Sequence, residues 1–390
     1  MESIQSGSIG GASGRKPRIG FLFLGGEHQV LHMAPVAAEL DAGGRARVVI
    51  FALPGERARV AGALDRFGMH APVRSLEAHW LLLGMDRVFA GLSDFKVPGL
   101  LANRRLFAGL DALVVAERTS TLLKRLPGPK PYLIHIPHGA GDRAKGFEKR
   151  IRLFDHVIVA GPKDRDRMIA EGLVDPEHCQ VSGYIKRAAV RSLLPQEGPE
   201  RLFANDRPVI LYNPHFDRKL SSWDKFADAL ISAIEQQDHF NLVVAPHVRL
   251  RGRLSAAERR RFEARAMPDR IIVDFGSSRS CDMTYTLGAD LYVGDVSSQV
   301  YECLDRPKPC FFLNPGVKDW LADPSFAHWQ LGEVIDDPDE ILEALDHAIE
   351  CHPLFAPLQQ SAVSRATGPE GQDAVRTAAR MIGDLAEANR

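Results

Sequence analysis

Residues Ala289-Asp290-Leu291-Tyr292-Val293-Gly294-Asp295-Val296-Ser297-Ser298-Gln299-Val300-Tyr301-Glu302 decide how this chain is read. An apolar, β-prone run ends in a short polar turn, and a helix-compatible segment follows at once. Ser297 and Ser298 are therefore expected where a strand hands over to a helix N-terminus. The unpaired N–H groups and partial positive charge of such a terminus bind phosphate. Glu302 lies four residues past Ser298, on the same face of the expected helix, and is placed to hold ribose hydroxyls. The stretch reads as half of a nucleotide-diphosphate site. Serine is also an ordinary helix cap, and on these residues alone both readings stand.

The same strand-to-helix rhythm extends outward. Strands are expected at 18–24, 46–53, 112–116, 132–136, 157–159 and 180–182, with helices at 27–40, 56–67 and 120–126 among them. The segment Leu194-Pro195-Gln196-Glu197-Gly198-Pro199 reads as a linker, because Pro and Gly break both periodicities. A second set follows, with strands at 209–212, 241–245, 270–273, 290–293 and 310–313. Helices are expected at 223–236, 256–266, 339–347 and 371–386. Alternation of this kind builds doubly wound parallel sheets. The expected layout is a tail at 1–16, an α/β domain at 17–193, a linker at 194–200, a donor-binding α/β domain at 201–350 and closing helices at 351–390. Ligands of such sheets bind outside the carboxyl ends of the strands.

Composition narrows the class. A chain of 390 residues suffices for two domains, each with its own core. A formal net charge of -1 gives no global field for nucleic acid, so none is expected as a partner. The 5 cysteines form no CxxC pair, which suits a reducing cytoplasm. No run reaches the roughly 20 apolar residues of a membrane span. Trp80-Leu81-Leu82-Leu83 and Pro98-Gly99-Leu100-Leu101, followed by Arg104-Arg105, allow peripheral membrane contact or an ordinary core helix with a surface turn.

Three motifs carry chemistry. His135-Ile136-Pro137-His138-Gly139-Ala140-Gly141-Asp142-Arg143 follows a strand, and His138 is a candidate general base or a loop histidine bonded to backbone. Ala245-Pro246-His247-Val248-Arg249 ends another strand, and the basic residues at 249, 251 and 253 supply positive charge or a solvated surface. Tyr212-Asn213-Pro214-His215-Phe216-Asp217-Arg218-Lys219 sits where a diphosphate is cradled, with Arg218 or Lys219 as candidate contacts. Metal chemistry draws little support. His28 and His32 have i, i+4 spacing, but Gln29 stands where HExxH needs glutamate, so neither metal nor cofactor is expected. Gly25-Gly26-Glu27 lacks the third glycine of a dinucleotide fingerprint.

Together the motifs resemble the CDP-glycerol glycerophosphotransferase family, the teichoic-acid polymerases and primases of GT-B-type fold. His138-Gly139-Ala140 is similar to that family's His-Gly-Thr. Phe154-Asp155-His156-Val157-Ile158-Val159-Ala160-Gly161-Pro162 and Ser182-Gly183-Tyr184-Ile185-Lys186-Arg187 match further segments, as do Tyr212-Asn213-Pro214, Pro246-His247 and the run from Ala289 through Phe312. The resemblance implies two Rossmann-like domains facing a cleft and a metal-independent transfer of a phosphopolyol from a CDP-activated donor, releasing CMP. It implies His138 as base on a glycan or lipid-linked acceptor and His247 at the donor phosphates. Ser297, Ser298, Arg218 and Asp295 are placed on the phosphates and Glu302 on the ribose. Departures fall on the acceptor side: Ala140 replaces threonine, Ile185 replaces proline, and Asp217 replaces arginine.

Other readings share the fold. A glycosyltransferase would take a CMP- or UDP-sugar. His32-Met33-Ala34-Pro35-Val36 resembles the KMAPV of UDP-GlcNAc 2-epimerases, and 294–302 is distantly similar to their TDSGGxQEE, with serines in place of paired glycines. A non-catalytic nucleotide binder is the third possibility; retention of both strand-end histidines argues against it.

Overall fold

The computed structural model describes residues 15–77, 96–369, 371 and 373–390. The expected tail, apart from Arg15 and Lys16, and the Trp80–Leu83 stretch lie outside them. Thirteen short strands divide between two sheets, and every strand pairing in both is parallel. The first sheet holds β1 (Arg18–Phe23), β2 (Arg47–Ala52), β3 (Val73–Ser75), β4 (Ala112–Val115), β5 (Tyr132–His135), β6 (His156–Val159) and β7 (Cys179–Val181), in the order β3-β2-β1-β4-β5-β6-β7. The second holds β8 (Val209–Asn213), β9 (Asn241–Val244), β10 (Ile271–Val273), β11 (Leu291–Gly294), β12 (Cys310–Leu313) and β13 (Glu333–Ile335), in the order β10-β9-β8-β11-β12-β13.

The strands are runs of Val, Ile, Leu and Phe because parallel sheets are covered on both faces. One face of the first sheet buries Ile19, Phe21, Val114 and Ile134 against Met33 and Val36 of helix α1 (Glu27–Ala42). The other face packs Leu22, Phe51 and Leu113 on Leu100 and Phe107. Leu100, from the stretch read as a possible membrane contact, is thus a core residue. Among the described residues no helix is long and apolar enough to cross a membrane. In the second sheet Tyr212, Val244 and Val293 lie on the helix Trp223–Glu235, while Tyr292 and Phe312 face Trp329 and Val300.

One helix departs from the expected pattern, and the last meets it. Ile341–Thr367 runs through Pro353 and Pro357, where sequence periodicity stops at residue 347. Tertiary packing overrides the prolines: the helix lies on β12 and on the helix Pro162–Ala170. Its Gln359 accepts from Lys308 N–H and donates to the Lys308 and Leu331 carbonyls. The last helix, Ala374–Ala388, returns to the first sheet, where Ala378 and Ile382 join the core beneath α1.

The halves meet through a buried polar knot. Asp142, 3% exposed, accepts from Lys163 Nζ (2.8 Å) in its own half. From the other half it accepts from Tyr301 OH (2.7 Å) and pairs with His328 Nδ1 (3.0 Å). Although burial opposes its charge, these partners hold the carboxyl well below its ordinary range. Glycine at 141 permits the approach, because a Cβ there would stand 2.8 Å from Ser298 Cβ of the opposite half. Ala140 inserts into the second half's apolar cluster with Val296 and Val300, which accounts for a methyl in place of a hydroxyl.

Asp142→Ala leaves the buried Tyr301 hydroxyl and His328 Nδ1 without their acceptor and Lys163 with Asp164 alone, so urea unfolding is expected to show a loss of about 3–5 kcal/mol. A loss below about 1 kcal/mol, the size of an exposed pair, would contradict the knot's role.

Candidate active site

Strand carboxyl ends of both sheets open on one cleft. Glu117 follows β4, His138 follows β5, Lys186 follows β7, His215 follows β8, His247 follows β9, and Ser297 and Ser298 follow β11; all line the same cavity. Its volume is about 240 Å³. That is below the ~300–1,000 Å³ of sites that hold small molecules, so a nucleotide-sized ligand requires the halves to part further.

The lining is rich in imidazole. His28, in the first turn of α1, has its ring centroid 5.1 Å from that of His138 and 6.5 Å from that of His247. His215 and His247 are 5.8 Å apart, with Phe216 4.7 Å from His247. Desolvation in the cleft disfavours protonation of His28, His138 and His247, and neighbouring positive charges add to the effect. His28 and His247 are each lowered to about 3, and His138 is lowered as well. A neutral His138 ring keeps one nitrogen as an acceptor whichever tautomer it adopts. His247 Nδ1 accepts from Arg249 N–H (3.2 Å), so the neutral ring carries its hydrogen on Nε2 as a donor. One histidine is set up to take a proton and the other to give a hydrogen bond.

Glu117 lies on the same wall. Gln29 Nε2 (2.7 Å) and Lys96 Nζ (3.1 Å) both donate to its Oε1. Burial works against its charge, but Lys96 and Gln29 outweigh it and hold the carboxyl below its ordinary range. Sequence reasoning missed Glu117, although an acidic and a basic residue straight after the apolar run Ala112–Ala116 is the same strand-end signal that singled out the histidines. It also set His28 aside as half of a metal-like pair. Its partner by spacing, His32, is buried beside Tyr184 instead, with ring centroids 5.4 Å apart. Among the described residues no group of three or more His, Cys, Asp or Glu is arranged to hold a metal ion.

Of the five expected donor contacts, Ser297, Ser298 and Glu302 line the cavity and Asp295 and Arg218 do not. The helix after Ser297 and Ser298 is Val300–Cys303, a single turn whose dipole is too small to carry phosphate capture. Ser297 Oγ donates to Asn213 Oδ1 (2.6 Å), and Ser298 packs on Gly139 and Gly141. Asp295 is fully buried behind the cavity wall and accepts from the N–H groups of His215, Ser222 and Val296 and from Ser222 Oγ. Burial raises its carboxyl to about 6, and those donors limit the rise. An acceptor already filled with backbone donors does not meet phosphate; Asp295 shapes the loop that carries His215. Arg218 is exposed and outside the lining, while His215 and Phe216 of the same motif are inside it. Glu302 lines the cavity, but its carboxylate already accepts from Lys186 Nζ (2.8 and 2.9 Å) and Tyr184 OH (2.5 Å) across the cleft. A ribose hydroxyl must share or displace that pair.

No protein-family model matches the chain, and no curated protein does. Solved structures do. The S. aureus MnaA–UDP co-structure superposes with a TM-score of 0.65 at 14% identity, covering 94% of this chain and 95% of that one. The UDP-GlcNAc 2-epimerase from Neisseria meningitidis bound to UDP-GlcNAc gives 0.60 at 12%, covering 94% and 98%. The glycotransferase of kitacinnamycin gives 0.59 at 15%, covering 95% and 99%. The chain thus has a two-domain α/β fold of GT-B type.

The partly buried, neutral His28 and His247 make stability depend on acid. Their folded pKa values lie below the unfolded value, so the unfolded chain binds more protons as pH falls. Stability is complete above about pH 6.5 and is lost below it, on the order of 1 kcal/mol for each of the two by about pH 5 once solvent screening is allowed for. Chemical denaturation is expected to show this fall, and His247→Asn is expected to shallow it. A flat profile from about pH 7 to 5 would contradict neutral burial.

Proposed function

We propose that this chain is an enzyme acting on a nucleotide-activated sugar, transferring the glycosyl group to a hydroxyl of a glycan or lipid-linked acceptor. The observation that carries the reading is His138, a neutral ring at a strand's carboxyl end that lines the cleft beside His28 and His247 and keeps one nitrogen as an acceptor. The acceptor hydroxyl gives its proton to His138 as its oxygen bonds to the anomeric carbon. The carbon–oxygen bond to phosphate breaks, and its electron pair leaves with the nucleotide. His247 Nε2–H and the cleft's arginines stabilise that developing charge.

A second reading is epimerisation of the sugar, favoured by Glu117. Inverting a carbon centre needs one group to remove a proton and another to return it. Glu117 supplies a second acid–base group on the His138 wall. Phosphopolyol transfer from CDP-glycerol rests on the motif resemblance alone. It enters as a third substrate to be assayed.

The test is NMR of the purified protein in D₂O with UDP-GlcNAc and with CDP-glycerol, with and without a glycan acceptor. Acceptor-dependent release of nucleotide supports transfer. A deuterium-labelled sugar isomer formed without acceptor supports epimerisation, and CMP release from CDP-glycerol supports the polyol reading. His138→Ala is expected to lower turnover about 10²–10⁴-fold while leaving nucleotide binding within a few fold. Turnover unchanged in His138→Ala removes the base assignment, and no turnover in the parent favours a binding protein.

A further inference from the structure

Phe216, in the loop after β8, is flanked by guanidiniums from opposite halves of the molecule. Arg143 Cζ lies 5.7 Å from the ring centroid and Arg249 Cζ 5.4 Å. Arg143 leaves the loop after β5, and Arg249 leaves the turn after β9. The other charged pairs of the cleft are matched: Lys186 with Glu302, Lys96 with Glu117, and Arg118 with Glu148. No ion pair joins Arg143 or Arg249 to a carboxylate among the described residues.

Arg143 also competes for its polar partner. Its Nη1 stands 2.5 Å from His215 Nε2, while the Asp217 N–H stands 3.0 Å from His215 Nδ1. An imidazole accepts at no more than one nitrogen, so the ring cannot serve both donors, and an anionic oxygen beside Arg143 would supply the second acceptor. Burial lowers the Arg143 pKa; Asp217 and Asp295 counter it from a distance, and Arg249 and Arg118 add repulsion. A partly buried guanidinium without a carboxylate is costly in the absence of an anion. Two planar guanidiniums beside one ring, and both in the cavity lining, suit phosphate oxygens.

We propose that Arg143 and Arg249 form a clamp that closes across the cleft on the outer phosphate of a nucleoside diphosphate, so that the chain takes donors linked through a diphosphate in preference to donors linked through a single phosphate. The inference rests on the nucleotide-sugar reading above and narrows it. Charge decides the class: two unmatched guanidiniums balance the two negative charges of a diphosphate diester, whereas a monophosphate diester carries one. The clamp adds a ligand-dependent contact across the cleft to the Asp142 knot and the Lys186–Glu302 pair, so ligand charge is coupled to cleft closure.

The test is calorimetric titration at fixed ionic strength with UDP against UMP, CDP against CMP, and inorganic pyrophosphate against phosphate. The parent is expected to prefer each diphosphate. Arg143→Met and Arg249→Met, which keep the apolar stem, are each expected to cut that preference about tenfold to a hundredfold. Arg143→Lys is expected to restore part of it, because charge returns without the fork. Arg249 is exposed, so its variant decides the matter even if Arg143→Met does not fold. Equal affinity for mono- and diphosphate in the parent, or a preference unchanged in both Met variants, overturns the clamp. Arginine-dependent pyrophosphate binding with no nucleotide binding would keep the clamp and remove the nucleotide reading. Binding of none of the probes removes both.

Discussion

One carboxylate sets the register of the two halves. Asp142 is buried where it answers Lys163 on its own side and Tyr301 and His328 on the other. His138 and Arg143 lie on the same loop, so the groups read as base and as clamp are held by the contact that joins the sheets. On the far side, Tyr301 adjoins Glu302, and His328 Nε2 meets the Asp295 carbonyl. A buried charge with every partner satisfied is intolerant of displacement. It fixes the strand-end loops of both sheets relative to one another.

That constraint explains the electrostatics of the cleft. His28, His138 and His247, with His28 within 5.1 and 6.5 Å of the other two, stay neutral, since a further positive charge there is opposed by desolvation and by its neighbours. Neutral rings offer a lone pair at His138 and an N–H at His247, where Nδ1 is taken by the Arg249 N–H, and the arginines keep the permanent charge. Proton transfer and charge stabilisation thus fall to different residues in one small volume. This division suits a reaction that moves a proton at one end of a substrate while a phosphate leaves at the other.

Much of this architecture is legible in the sequence because strand residues in a parallel sheet are apolar on both faces. The runs at 112–116, 209–212 and 310–313 announce themselves, and residues after them fall at the cleft by topology. His138, His247, Ser297, Ser298 and Glu302 all reach the cavity for that reason. What stayed hidden depends on distant partners. Nothing near Glu302 says that Lys186 and Tyr184 occupy its carboxylate, and nothing near Asp295 says that its oxygens are filled by backbone from the loop after β8. The length of the helix after Ser298 was also out of reach, since Val300-Tyr301-Glu302-Cys303 carries no stop signal. Strands β3 and β13 each carry a charged residue, Arg74 and Glu333, within three positions, which breaks the apolar run that marks strands such as β4 and β12.

The central claim is that the loops at 138–143 and 295–299 form one ligand site closed from both sides. Amide hydrogen exchange with and without saturating UDP or CDP tests it most directly. The account predicts that one ligand slows exchange in both loops together. Protection confined to a single half, or absent from both loops while the ligand binds, would contradict it.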